Sequence, residues 1–357
     1  MGRRGDVAFG AAALAASLAV FVPWLGLDFR LEPRKSPLND YWKARVPDMI
    51  YGRAHRPFVE RTLVPSTIRV IRRLLPREAL GAIRRTVSGA PLFLPRKLGA
   101  LGWEPAFLAE YAIAIPVLYA LLAAFPFALR RLFLAVYDAP GAAAIAGVLA
   151  TLLLPAFFFD RGTHYLYDFA ALLLFTLALV FVARGRLLPY YLVFALGVLN
   201  KETMILATLV FLAAGRERLT RQDQRRHLVL QLAVFGGIRM TLARIFAGNP
   251  GGTVEWHFIK NLRLMAAAPN PWSALMLASV AILVLARLGE KPFFLRSSLV
   301  VLPPLVASYL FLGIYGEVRV FYEAYPFLFL LAFDNAWTIL GGRLPPRNPR
   351  AIVTAAS

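Results

Sequence analysis

Residues 187–214 read LLPYYLVFALGVLNKETMILATLVFLAA, and how this stretch is divided decides the fold. As one helix it is long enough to cross a bilayer, which takes about 20 apolar residues. That division would carry Arg216, Arg218, Arg221, Arg225 and Arg226 to the side opposite Arg184 and Arg186. Short cytoplasmic loops collect the excess Lys and Arg of a membrane protein, so the one-helix division conflicts with the charges. Split at Asn200-Lys201-Glu202 into two short helices, the stretch returns the whole cluster to one side. The expectation is therefore two short helices meeting at a charged turn. Broken helices at membrane depth are tolerated where they line a polar interior or are buried in protein.

The neighbouring segments agree with that division. Apolar runs lie at about 7–27, 105–125, 139–159, 166–182, 228–246, 272–285, 299–315 and 320–340. With the two short helices they make about ten segments of an all-α, polytopic transmembrane bundle. Arg3 and Arg4, Arg130 and Arg131, Arg287, Lys291 and Arg296, and Arg343, Arg347 and Arg350 then fall inside with the 184–226 arginines. The short outer loops hold only Arg161, Lys260 with Arg263, and Arg319. The first run contains small residues spaced as in a cleavable signal, but it continues to full span length and reads as an uncleaved helix. Residues 1–342 are expected to form a single membrane domain with both termini cytoplasmic. Within it, residues 28–104 form a long outer first loop, and 343–357 form a short disordered tail. The loop stretch 63–75 interleaves Leu, Ile and Val with Arg69, Arg72 and Arg73, the pattern of a helix lying in the membrane interface.

Composition excludes several classes. The chain is 59% hydrophobic and 17% charged over 357 residues, with a mean hydropathy of +0.61, far from an ordinary soluble domain. There are no cysteines, which removes disulfides, thiolate catalysis and zinc–thiolate sites. The net charge of +20 lies mainly in loops beside apolar runs and comes with no recognition motif, so it points to anionic lipid and topology rather than to nucleic acid. No Walker loop, HExxH, GxSxG or dinucleotide fingerprint is present. The setting that fits is the bacterial inner membrane.

Charges at membrane depth are costly and mark candidate sites. Lys201 and Glu202 could neutralise each other or face a polar interior. Arg239 sits too deep to snorkel, and an arginine fork suits phosphate oxygens. Arg244 reads either as a second phosphate contact or as a residue snorkelling to the interface. Asp40, in Ser36-Pro-Leu-Asn-Asp-Tyr-Trp42, can serve as a general base or as an ordinary turn residue; Asp28 and Asp48 are weaker candidates. Asp160 and Asp168 flank the second outer loop, with His164 four residues before Asp168. They read as an acid/base pair, as ligands of a divalent metal ion (Asp160 with His164), or, for Asp168, as a helix-start acid. Arg319, Glu317 and His257 complete the polar outer set.

The layout resembles the GT-C superfamily of integral membrane glycosyltransferases, which use polyprenyl-phosphate sugars. The resemblance is carried by the cytoplasmic N-terminus, the long first outer loop with an Asp, and the acid of the second outer loop. Arg61-Thr-Leu-Val-Pro65 and Leu199-Asn-Lys-Glu-Thr203 are also similar to segments of uncharacterised bacterial members. The resemblance implies a sugar passing from a polyprenyl-phosphate donor to a glycan or lipid hydroxyl on the outer face of the membrane. Asp40 would be the base and Asp160, with Asp168, the assisting acids. Lys201, Arg239, Arg244 and Arg319 would hold the donor phosphate, and His164, Glu202, His257 and Glu317 would contact substrate. No tight paired-acid motif stands in the first loop, where Asn39-Asp40 comes nearest. A flippase or transporter of an anionic lipid or metabolite, and a non-catalytic membrane assembly subunit, are the alternative readings.

Overall fold

Apolar runs this long can satisfy their backbone groups without water only as helices, and the computed structural model is helical throughout. It describes residues 2–25, 41–88, 103–158, 165–252, 254–267, 271–315 and 318–347, and no strand occurs among them; one isolated bridge joins Tyr137 to Pro346. The helices are α1 (Arg3–Trp24), α2 (Val46–Ile50), α3 (Leu63–Leu74), α4 (Arg77–Ser88), α5 (Leu108–Val136), α6 (Pro140–Phe158), α7 (Asp168–Ala183), α8 (Leu187–Asn200), α9 (Leu206–Gly215), α10 (Arg221–Ile245), α11 (Phe258–Ala267), α12 (Pro271–Leu285), α13 (Phe293–Ser298), α14 (Leu302–Leu312) and α15 (Tyr325–Ile339). Among the described residues, five stretches are long and apolar enough to cross a membrane: Arg4–Trp24, Pro105–Val136, Pro140–Phe158, Arg221–Ile245 and Phe293–Leu312. α7, α8 and the Glu202–Gly215 segment are shorter and equally apolar.

α7 forms the centre. It is apolar on every side, and Phe169, Leu172, Phe175 and Leu179 are buried against α5 and α8. α5 and α6 approach closely because α6 presents small residues, Ala143, Ala146, Gly147 and Ala150, all buried. A Cβ on Gly147 would stand 2.8 Å from the Pro126 carbonyl oxygen of α5 and 3.3 Å from the Phe9 ring of α1. Small residues at such a crossing let helices pack where lipid removes the hydrophobic drive. The periphery is apolar too. Leu14, Leu18, Leu149, Leu153, Leu192, Leu196, Leu230 and Met240 are all exposed, far more than a water-facing surface carries. α10 is the extreme case, burying only Gln231 and Leu242.

The helices run between two ends. At one, Asp6 pairs with Arg130 at 2.7 Å, Arg218 donates to the Ala183 carbonyl at 3.0 Å, and Asn335 donates to Leu283 and Ala286. This arginine end therefore gathers the 184–186 and 216–219 turns together, and the division of 187–214 into two short helices holds. At the other end, the Thr62 N–H donates to the Leu199 carbonyl at 2.9 Å, Arg56 N–H to Pro250, and His257 N–H to Phe311. The first loop folds back over this second end. α3 buries Val64, Pro65 and Ile68, Arg72 reaches the buried Glu110 of α5 at 2.6 Å, and Arg69 donates to the Ile50 carbonyl at 2.6 Å. Its outward face keeps Val70 and Leu74 exposed.

Some expected boundaries move. Arg130 and Arg131 lie inside α5, not after it, and α10 already begins at Arg221. Helix ends follow caps rather than hydropathy: Thr220 accepts from the Asp223 N–H at the start of α10. The run expected at 320–340 opens with a 3-10 turn, Val318–Glu323, and becomes helical only from Tyr325.

Candidate functional site

The turn between α8 and α9 builds the site. Lys201 is extended (φ −160°, ψ 138°) and stops α8, so its neighbours bond outside the helix. Asn200 donates from Nδ2 to the Tyr167 carbonyl at 3.0 Å. Gly197 lets Met204 pack closely against α8, since a Cβ there would lie 2.5 Å from the Met204 side chain. Lys201 and Glu202 then leave the turn in different directions.

Lys201 and Glu202 do not neutralise each other. Lys201 donates from Nζ to Glu323 Oε1 at 2.8 Å, and Thr203 Oγ1 donates to the same oxygen. Both ions of the pair are buried. Glu202 is gripped by Arg61, whose Nη2 and Nε donate to Oε1 at 2.5 Å and Oε2 at 3.2 Å. Arg61 also donates to the Tyr167 hydroxyl and lies over the Tyr167 ring, 4.4 Å from its centre. Burial works to lower the Arg61 pKa, but the Glu202 charge and hydrogen bond together with Tyr167 hold the guanidinium above the ordinary arginine value.

Two further pairs flank this core. Asp168 is fully buried, accepts the Tyr165 N–H on Oδ2 at 2.9 Å and faces Arg319 from Oδ1 at 3.4 Å. The Arg319 guanidinium sits 3.9 Å from the centre of the Tyr165 ring. Asp168 thus ties the loop before α7 to the 3-10 turn before α15. Arg239 donates through Nη2 to Glu60, while its buried Nη1 and the buried Glu60 Oε1 have no hydrogen-bond partner. Glu323 Oε2 and Asn200 Oδ1 are likewise buried without one. Four cations and four carboxylates converge here, with Phe58 stacked on Tyr165 and Tyr165 on Tyr167. Tyr41 meets both Phe58 and Tyr165 edge-on.

Of the expected site residues, the structure brings Asp168, Lys201, Glu202, Arg239 and Arg319 together. Arg239 is not on the lining of the space beside Lys201. The space beside Lys201 is about 10 Å³, one water's worth, bounded by Thr203, Met204, Gly197 and Glu323. Arg244 is exposed on α10, apart from the network. His257 faces Glu255 at 3.4 Å, and Glu255 is bonded by Lys43, whose pKa that bond raises. These three form a separate cluster. Asp48 is held in α2 and faces Arg53 at 3.5 Å. Asp28, Asp40, Asp160, His164 and Glu317 lie outside the described residues, and Tyr41 and Tyr165, next to Asp40 and His164, belong to the aromatic stack. Among the described residues no group of three His, Asp or Glu side chains is arranged to hold a metal ion.

The sequence reading missed Glu60, Arg61, Tyr167 and Glu323 as site residues. A usable signal was present: Glu60-Arg61 is a charged pair set between Phe58-Val59 and Leu63-Val64, and charges inside an apolar context are candidates for burial.

No family model, curated protein or solved structure matches the chain.

Proposed function

We propose that this chain is an integral membrane glycosyltransferase that takes a sugar from a polyprenyl-phosphate donor at the network end of the bundle. One observation carries the reading: cations, carboxylates and a stack of aromatic rings meet at one end of an apolar helix bundle. A lipid-linked sugar phosphate needs all three. Aromatic faces suit a sugar ring, guanidinium forks suit phosphate oxygens, and a carboxylate can accept a proton. α8 rises only about 21 Å over its 14 residues, less than the roughly 30 Å hydrocarbon layer. The Lys201 turn would therefore lie below the outer headgroup level, and a prenyl phosphate would be drawn inward to reach it.

In this reading the acceptor hydroxyl attacks the anomeric carbon as a carboxylate, Asp40 by the resemblance, takes its proton. The anomeric C–O bond breaks and the electron pair leaves with the prenyl phosphate. Arg239, whose Nη1 has no acceptor, would stabilise the charge that develops there. Asp168 has one oxygen on a backbone N–H and the other facing Arg319, which suits positioning the loop better than proton transfer. A carrier of an anionic lipid is the second reading, favoured by one observation: each of these cations already faces a carboxylate, as when ion pairs exchange with a passing anion.

The test uses the full chain in proteoliposomes with a prenyl-phosphate sugar carrying labelled sugar, plus bacterial membrane extract as the acceptor pool. Transfer of label with release of prenyl phosphate is expected. Asp40→Asn should abolish release while donor binding persists, and Arg239→Lys should weaken donor retention by about tenfold. Donor bound and moved across the bilayer without cleavage would establish the carrier. Neither binding nor cleavage would overturn both readings.

A further inference from the structure

A second feature lies at the opposite end from the charged network and is independent of what that network does. Between α5, α7, α8, α9 and α13, at the arginine end, is a cavity of about 460 Å³, within the size range of small-ligand sites. Phe181, Leu187, Tyr190, Phe211 and Phe294 give it largely apolar walls, and Arg186, Arg218 and Arg347 stand on its lining. Glu217 is the one carboxylate among the lining residues.

Positive charge is in excess around this cavity. Four other cations at this end face acids: Arg130 pairs with Asp6, Lys291 with Asp334, Arg287 with Glu290 and Arg226 with Asp223. Among the described residues none of Arg131, Arg184, Arg186, Arg218 and Arg347 pairs with a carboxylate. Their bonds go to backbone carbonyls: Arg184 to Arg131, Arg218 to Ala183, and Arg347 to Leu134. A carbonyl supplies no net charge, and each guanidinium has five N–H donors to satisfy. Burial first, then repulsion from Arg186, Arg347 and Arg131, lowers the Arg184 pKa, the behaviour of a cluster lacking an anion.

We propose that this cavity binds a phosphate-headed lipid, its headgroup held by Arg186, Arg218 and Arg347 and its acyl chain lying along Phe181, Phe211 and Phe294. The chemistry recognised is a phosphate anion with an apolar tail. Basic pockets between membrane helices hold anionic headgroups in this way. A free phosphate would use the arginines but leave the aromatic walls empty, and a zwitterionic lipid would bring its own cation to an already cationic rim.

The experiment uses the full chain in neutral detergent, with native mass spectrometry counting retained lipid. Dioleoyl phosphatidylglycerol, dioleoyl phosphatidylcholine and inorganic phosphate are added in separate arms. Retention of phosphatidylglycerol over phosphatidylcholine is expected. The triple variant Arg186→Gln/Arg218→Gln/Arg347→Gln should weaken retention by on the order of a hundredfold. Ala214→Phe, which fills the cavity from its lining without touching charge, should also displace the lipid. That second variant guards against misfolding of the first. Equal retention of both lipids would overturn the proposal. So would loss on arginine neutralisation with full retention in Ala214→Phe, since that marks diffuse surface attraction. Competition of inorganic phosphate at equal concentration would overturn the lipid assignment.

Discussion

Lys201 shows how much one residue can reveal alone. It was legible as an ion at membrane depth, because the apolar runs on either side leave it nowhere else to be. Its partner was not legible. Adjacency suggests Glu202, but the ions that satisfy Lys201 and Glu202 come from 122 and 141 residues away. Only the packing of α8 against the first loop and the last 3-10 turn brings them in. Taking one partner from a buried pair strands the other, at about 3–5 kcal/mol, whereas replacing both by apolar groups is close to neutral. Lys201→Met should therefore cost about that much stability, and Lys201→Met/Glu323→Met should recover most of it. Thermal or urea unfolding in micelles measures both. Equal loss in the single and double variants would mean that the pair is not the unit that matters. Asp168 stayed between two readings for the same reason: a helix-start acid and a catalytic acid look alike until their oxygens are assigned, and in the structure it opens α7.

At the scale of the element, hydropathy located the helices and said little about how closely they meet. The two-helix division of 187–214 was legible because charge bias in short loops constrains every segment at once. The α5–α6 contact was not, since Ala143, Gly147 and Ala150 look like any apolar residues in a run until the facing backbone is known. Gly147 carries the sharper consequence. The atom nearest its missing Cβ is a backbone oxygen of α5, which cannot swing aside as a side chain can. Gly147→Val should thus force α5 and α6 apart and cost roughly 1–3 kcal/mol, the usual penalty of overpacking. Gly141→Ala is the control, a glycine near the start of the same helix with nothing within 4 Å of its Cβ position. A thermal shift as small for Gly147→Val as for Gly141→Ala would show that the close approach is dispensable. The amphipathic first-loop helix was legible from its Arg spacing, but its docking through Arg72 and Glu110 was not, because Glu110 reads as a span-end acid.

For the whole molecule, the two ends differ in the kind of charge they hold, and that difference gives an orientation. At the network end, Arg239, Arg61, Arg319 and Lys201 are paired with Glu60, Glu202, Asp168 and Glu323. The arginine end keeps Arg131, Arg184, Arg186, Arg218 and Arg347 unneutralised. Loops rich in unpaired Arg resist translocation and stay in the cytoplasm, so the arginine end should be cytoplasmic and the network end should face outward. Two separable statements are involved, and reporters inserted at Gly185 and Glu217 divide them. The structure places these turns side by side, through the Arg218 bond to Ala183, so both reporters must give the same side. Opposite sides would break the short-helix pair and with it the Lys201 turn. Given agreement, both should report cytoplasm, and agreement on the outer side would invert the molecule. Inversion would move the charged network to the cytoplasmic leaflet, where the sugar donor would have to be presented from within the cell.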